Sequence, residues 1–275
     1  MKITDYARRH PVGVYFCLVF VISWGGCLLT GGPIFFRGES ADLQDVLVIG
    51  LLVIAGPFVA GLAMTYLVNG RSGLRDLFAR MVRWRVGGGW YAALLIFPIL
   101  LLAVSLALSA WVTPELSPIF FAPGIVMGLL AGPIEEVGWM GFAYPAMRLK
   151  RSILRTSIYL GSLHALWHIL PDFLGNYNAF GGQWLPYFAG FFVFVMALRV
   201  LIVWVYENTE SLLLAQLMHA SSTGFYGILI PTEVAPAHWA LFACVYAVVL
   251  SAAAVVVVTR YGRNLTRQPR TVKAI

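Results

Sequence analysis

Charge is what this sequence has least of. Of its 275 residues, 11% are Asp, Glu, Lys or Arg, where a soluble domain carries about 25%. Too few charges remain to cover a water-facing surface, which excludes an ordinary soluble domain. Acidic residues are the scarcer kind, 12 against 19 Lys and Arg. Only three cysteines occur, Cys17, Cys27 and Cys244. None has metal-type spacing, and each reads as a small buried apolar group. Short segments alternating at period two are missing, which excludes a transmembrane barrel. There is no HExxH, so an ordinary zinc-protease helix is not indicated. No internal repeat is evident.

What is present is apolar and continuous. Hydrophobic residues make up 60% of the chain, and the mean hydropathy is +0.82. Long unbroken apolar runs argue helices. With about 20 residues needed per crossing, spans fall near 12–32, 45–68, 89–113, 119–146, 152–171, 184–206, 211–230 and 236–259. The expectation is an all-α, polytopic membrane helix bundle of about eight transmembrane helices, a single domain over 1–275 with both termini cytoplasmic. The run from Val12 to Thr30, behind Lys2, Arg8 and Arg9, is long for a signal peptide and reads as a first span and signal anchor.

Basic residues set the orientation. The inner segments would hold Arg8, Arg9, Arg71, Arg75, Arg80, Arg83, Arg85, Arg148, Lys150, Arg151 and the Arg260–Lys273 tail. The outer ones hold a single basic residue, Arg37, beside acidic Glu39, Asp42, Glu115, Asp172 and Glu233. The inner turn 207–210 is the exception, with only Glu207 and Glu210. The net charge of +7 is thereby assigned to the membrane surface, and no nucleic-acid partner is expected. The stretch Arg71–Arg85 reads as an amphipathic interfacial helix, residues 172–186 as an outer loop, and 260–275 as a disordered basic tail.

Into this background falls Gly132-Pro133-Ile134-Glu135-Glu136-Val137-Gly138-Trp139. No charge occurs from 117 to 134, and the next downstream is Arg148. A charged side chain in hydrocarbon costs roughly 2.5–3.5 kcal/mol on insertion scales, so an intramembrane carboxylate marks a functional site by default. Two other spans hold unusual residues: His164-Ala-Leu-Trp-His168 and His219-Ala-Ser-Ser-Thr223. Residues four apart share a helix face, which pairs His164 with His168 and His219 with Thr223. Carboxylates and imidazoles in apolar surroundings can hold a water, take its proton or coordinate a metal. The same residues also fit a proton or ion site of a transporter, and each histidine fits a polar link between helices. Arg199 lies away from the basic segments. It either pairs with a glutamate in the pocket or reaches toward Glu207.

These motifs resemble the CPBP intramembrane proteases, the CAAX protease and bacteriocin-processing (Abi) family that includes the type II CAAX prenyl endopeptidases. Glu135-Glu136-Val137-Gly138-Trp139-Met140-Gly141-Phe142 is similar to the family's first motif, Ala165-Leu166-Trp167-His168 to the second, and Ser211 through Ser221 around His219 to the third. The motif-bearing core would run over about 119–230. The resemblance implies an endopeptidase cutting a membrane-associated peptide or protein, in a bacterial or archaeal cytoplasmic membrane, with a site opening to the cytoplasmic side. It casts Glu135 as activator of the water, Glu136 as its assistant, and His168 and His219 as completing the pocket. Those two histidines would also be the ligands if a divalent metal such as zinc takes part, a point the resemblance leaves open. Three positions depart from the pattern. Met140 replaces the arginine of Glu-Glu-x-x-x-Arg, Thr223 replaces an asparagine, and His164 stands where an aromatic is common. Arg199 is the candidate substitute for the missing arginine. A non-catalytic member with a peptide-binding or bacteriocin-immunity role is the alternative.

Overall fold

Helix is the one regular element among the residues that the computed structural model describes, 3–39, 43–149, 152–229 and 234–267. They run as α1 (Ile3–Arg9), α2 (Pro11–Phe36), α3 (Leu43–Met81), α4 (Ile96–Trp111), α5 (Pro123–Gly138), α6 (Tyr144–Arg148), α7 (Ile153–Phe180), α8 (Trp184–Thr209), α9 (Leu212–Leu229) and α10 (Pro236–Tyr261). A π-helical turn, Trp139–Ala143, joins α5 to α6. Six stretches are long and apolar enough to cross a bilayer: Pro11–Phe36, Leu47–Met81, Gly88–Trp111, Pro123–Arg148, Ile153–Thr209 and Pro236–Asn264. The fifth contains both α7 and α8. α9 is not among them, because Gln216, His219 and the Ser221-Ser222-Thr223 run lower its hydropathy. The chain is an integral multi-pass membrane protein. Its outward faces carry exposed Val21, Leu29, Ile99, Leu106, Val248 and Val256, as a surface bathed by lipid requires.

In lipid, helix association is driven less by burial than by close packing and interhelical hydrogen bonds. α5 carries Gly124, Gly128 and Gly132 at a spacing of four, and they lie against α9. A Cβ on Gly128 would stand 2.6 Å from the Gly224 Cα, and one on Gly132 2.5 Å from the Ala220 nitrogen. The next residue of that stripe is Glu136, so the seam that brings α5 against α9 ends on a carboxylate facing α9. The same device recurs twice. Gly61 of α3 meets Gly138 of α5, and Gly161 of α7 meets Met196 and Arg199 of α8.

Prolines inside helices supply docking points. A proline has no N–H, so the carbonyl four residues earlier is released. Pro57 releases Val53 O, which accepts from Ser23 Oγ at 2.5 Å. Pro171 releases Trp167 O, which accepts from Trp24 Nε1 at 2.9 Å. Both donors belong to α2, which is thereby fastened to α3 and α7. Each bond also satisfies a carbonyl that lipid could not.

The structure corrects three expectations. Residues 260–267 of the tail are not disordered: α10 runs to Tyr261, a 3-10 turn follows over Gly262–Asn264, and the buried Leu265 accepts through its carbonyl from Asn208 Nδ2 at 2.8 Å. Residues 172–180 are not loop: α7 continues to Phe180, and Gly181, at φ 52°, ends it. The polar residues expected in a loop are satisfied within the helices, Asp172 accepting from Trp184 Nε1 at 2.7 Å and from Asn176 Nδ2 at 3.1 Å. Of the cysteines only Cys27 is buried; Cys17 and Cys244 are exposed on α2 and α10, where a small apolar side chain suits lipid as well as core. The amphipathic stretch forms a helix as far as Met81, and Arg83 and Arg85 lie beyond its end. Gly70, at φ 64°, breaks α3, and the part beyond it carries the other arginines. The two glutamates of the 207–210 turn have basic partners. Arg148 Nη2 pairs with Glu207 Oε2 at 2.9 Å, and Arg83 Nη1 with Glu210 Oε2 at 2.7 Å. Arg80 Nη1 donates to Tyr206 Oη at 2.8 Å. His238 lies 2.8 Å from Glu115 Oε2, and that contact, together with the Ala235 N–H, holds the exposed Glu115 carboxyl below its usual range. Asp42, Lys150, Arg151, Glu233 and residues 268–275 of the basic tail lie outside the described residues.

The α5–α9 seam makes a direct prediction. Gly132→Val forces a branched side chain into Ala220 and should destabilise the protein by about 1–3 kcal/mol or more. Thermal unfolding in detergent should show it, with the exposed Leu129→Val unchanged.

Candidate active site

Three seams converge on one buried cluster. α5 contributes Glu135 and Glu136, α7 contributes His164 and His168, α8 contributes Arg199, and α9 contributes His219. Glu136 and Arg199 are 0% exposed, and Glu135, His164 and His219 at most 3%. His168, one turn beyond His164, is half-buried against Phe191, at 5.1 Å between ring centroids.

The contacts nearly close a ring. Glu136 Oε2 accepts from Arg199 Nη1 at 2.7 Å. Glu136 Oε1 lies 2.7 Å from His219 Nδ1. Arg199 Nη2 is 3.0 Å from His164 Nδ1. His164 Nε2 is 3.2 Å from Glu135 Oε2, without hydrogen-bond alignment. His219 Nε2 is 4.0 Å from that same oxygen.

Donor chemistry assigns the protons in this ring. A guanidinium only donates, so His164 Nδ1 accepts and the neutral ring carries its hydrogen on Nε2. Glu136, paired with Arg199, is a carboxylate and only accepts. His219 therefore donates through Nδ1, and its Nε2 lone pair faces Glu135. Two histidines of one site thus hold opposite tautomers, each fixed by its neighbour.

One member is absent from the sequence reading. Trp139 Nε1 donates to Glu135 Oε2 at 3.1 Å, and its ring lies 5.0 Å from His164 and 5.5 Å from Trp167 between centroids. The signal was available, since a residue four beyond Glu135 shares its helix face. The π turn begins at Trp139, and its Gly141 carbonyl accepts from Arg80 Nη2 at 3.2 Å. π turns recur at functional sites. Tyr15 packs beside Trp139, at 6.0 Å between ring centroids. Its buried hydroxyl has no partner and stands where a Cβ on Gly138 would be 2.5 Å away. Met140 is fully buried in the π turn. Thr223 is half-buried one turn beyond His219 and is not a member of the ring.

Among the described residues, Glu135, His164 and His168 bring ligand atoms within 4.8 Å of one another. Two imidazoles and a carboxylate are a donor set that zinc accepts. The set differs from the sequence expectation of His168 with His219, although His219 keeps an Nε2 lone pair that faces Glu135 at 4.0 Å. The fit fails at His164: with Nδ1 against Arg199, Nε2 carries a hydrogen and has no lone pair for a metal.

Fold and site together define a polytopic membrane protein that encloses a carboxylate–imidazole–guanidinium cluster. A family model described as type II CAAX prenyl endopeptidase Rce1-like matches residues 116–225, the stretch that holds every residue of the ring. A curated relative, CAAX prenyl protease 2 of Methanococcus maripaludis, is 32% identical over 103 residues, which are 36% of this chain and 38% of the relative. The chain thus matches well under half of that relative's length. Both findings fit a CPBP-family intramembrane protease.

Trp139→Phe keeps the ring and deletes the indole N–H. A hydrogen bond to a charged group contributes about 1.5–3 kcal/mol. The variant should fold, with its stability in thermal unfolding lowered by about 1.5–3 kcal/mol.

Proposed function

We propose that this protein is an intramembrane endopeptidase that hydrolyses a membrane-associated peptide through a water held between Glu135 and His219. The observation carrying this reading is the 4.0 Å gap between His219 Nε2 and Glu135 Oε2. Both are acceptors, and they face each other too far apart to bond directly. One water, about 2.8 Å from each, bridges such a gap by donating to both. That leaves its own lone pairs free for attack.

The step balances on these residues. The water oxygen adds to the scissile carbonyl carbon, and the water's proton passes to Glu135. The carbonyl π pair moves onto its oxygen. When that pair returns, the C–N bond breaks, and Glu135 gives its proton to the leaving amine. Glu136 stays ionised beside Arg199 and holds His219 in the tautomer that accepts from the water. Trp139 orients the Glu135 carboxylate. Because the donors fit a water better than a metal at His164, no step is assigned to a metal. The relative's name points to prenylated C-a-a-X peptides as one substrate class, which enter this reading as a proposal. A non-catalytic member with a peptide-binding or immunity role is favoured by one observation, the apolar Met140 buried in the π turn where the motif carries arginine.

One experiment separates these readings. Purified protein in nanodiscs is given a prenylated C-a-a-X peptide and a library of non-prenylated membrane peptides. Wild type should cleave, a zinc chelator should leave the rate unchanged, and Glu135→Gln should lower it by about 10²–10⁴-fold while eluting as a folded protein. Retained cleavage in Glu135→Gln would sink the peptidase assignment, and a chelator-sensitive rate would overturn the glutamate-held water.

A further inference from the structure

The peptidase reading leaves several buried donors without work, Tyr15 Oη, Trp167 Nε1 and Arg199 Nε among them, and one of these donors lies against Glu135. His164 Nε2 lies in the site, is shielded from solvent, and makes no aligned hydrogen bond. Its neighbour Glu135 Oε2 already accepts from Trp139 at 3.1 Å. A buried donor with no aligned partner is costly unless something arrives to accept from it.

We propose that His164 is a catalytic hydrogen-bond donor to the developing oxyanion, and that Arg199 is the positioning residue that commits it to this role. The assignment rests on the peptidase reading for its chemistry, but its structural half stands separately. Neutral imidazole has two tautomers, and the one present is set by what the other nitrogen meets. Arg199 Nη2 stands 3.0 Å from Nδ1 and can only donate, so the hydrogen is held on Nε2. The opposite tautomer would set an N–H against a guanidinium N–H, both fully buried. Arg199 cannot rotate away, because its other terminal nitrogen is held by Glu136 at 2.7 Å. The backbone is fixed as well, with Gly161 packed on Met196 and Arg199 one turn before the contact. When the water adds to the carbonyl carbon, the new negative charge on oxygen accepts from Nε2–H, and no proton need transfer. His164 and His219 then divide the work, donor and acceptor. A preorganised donor aimed at a developing oxyanion contributes about 10²–10³-fold.

The position accounts for two departures together. A phenylalanine at 164 would offer no donor and give Arg199 nothing to orient. Met140 removes a cation from the α5 side, and Arg199 brings one in from α8, where it reaches both Glu136 and His164. A lysine could not do this. Its ammonium is a point donor, whereas a guanidinium spans two acceptors in one plane.

The test uses full-length protein in nanodiscs with ¹⁵N-labelled histidine, His164→Phe serving to assign the His164 signals. Wild type should show a hydrogen-bearing Nε2 and a bare Nδ1. Arg199→Leu should give a mixture of tautomers, and Arg199→Lys should fall between. A wild-type Nδ1–H form, or a spectrum unchanged in both Arg199 variants, overturns the proposal. Should Arg199→Leu not fold, Arg199→Lys, which keeps the countercharge, decides alone. In the cleavage assay, His164→Phe and Arg199→Lys should lower kcat by about 100-fold with KM within about threefold. A change confined to KM would overturn the donor role. If wild type cleaves nothing, the peptidase reading fails, while the tautomer result still decides whether Arg199 sets His164.

Discussion

The pair formed by Arg199 and Glu136, at 2.7 Å and 0% exposed, is the constraint on which the site depends. Neither charge can stand alone in a bilayer. An unpaired buried ion costs several kcal/mol after relaxation, so α5 and α8 must meet at this point or not fold. The pair then dictates what surrounds it. Its second carboxylate oxygen selects the His219 tautomer, and its second guanidinium nitrogen selects the His164 tautomer. A contact that a soluble protein could trade for apolar packing here assigns the proton positions of two adjoining histidines.

Close backbone approach makes the pair possible. Gly124, Gly128 and Gly132 let α5 sink against α9, and Gly161 lets α7 sink against α8. The Glu136 and His219 side chains then reach one another directly, at 2.7 Å. The prolines contribute in the opposite sense, by releasing carbonyls that α2 takes up through Ser23 and Trp24. At the arginine-rich end, Arg80 ties the amphipathic part of α3 to Gly141 O in the π turn. That turn also carries Trp139, whose indole donates to Glu135.

How far the sequence disclosed this varies residue by residue. Glu135 and Glu136 announced themselves, because an ionisable group in an apolar run is costly to insert and persists where it has work to do. The spacing of His164 and His168 placed them on one face, but not which of them would meet Glu135; both approach it, and His164 lies at 3.2 Å. Arg199 had two readings, since a charge within a span satisfies itself wherever a partner lies, and its partner is 63 residues away. The Asp172 region misled because Gly, Asn and Tyr read as loop. Their polar atoms bond within and between α7 and α8, where composition has no say. Trp139 was hidden by its apolar bulk; its single N–H is what matters.

The sequence alone determined that the chain crosses a membrane, that its regular structure is helical, and that two carboxylates and three histidines fall within helical runs. Those conclusions follow from composition, run length and helical spacing, which are local quantities. Tertiary structure alone decided the closing of the ring, the opposite tautomers of His164 and His219, and the recruitment of Trp139 and Arg199. The reason is physical: a hydrogen bond between helices depends on their separation to within tenths of an ångström. That separation is set by glycine seams on pairs of helices far apart in the chain.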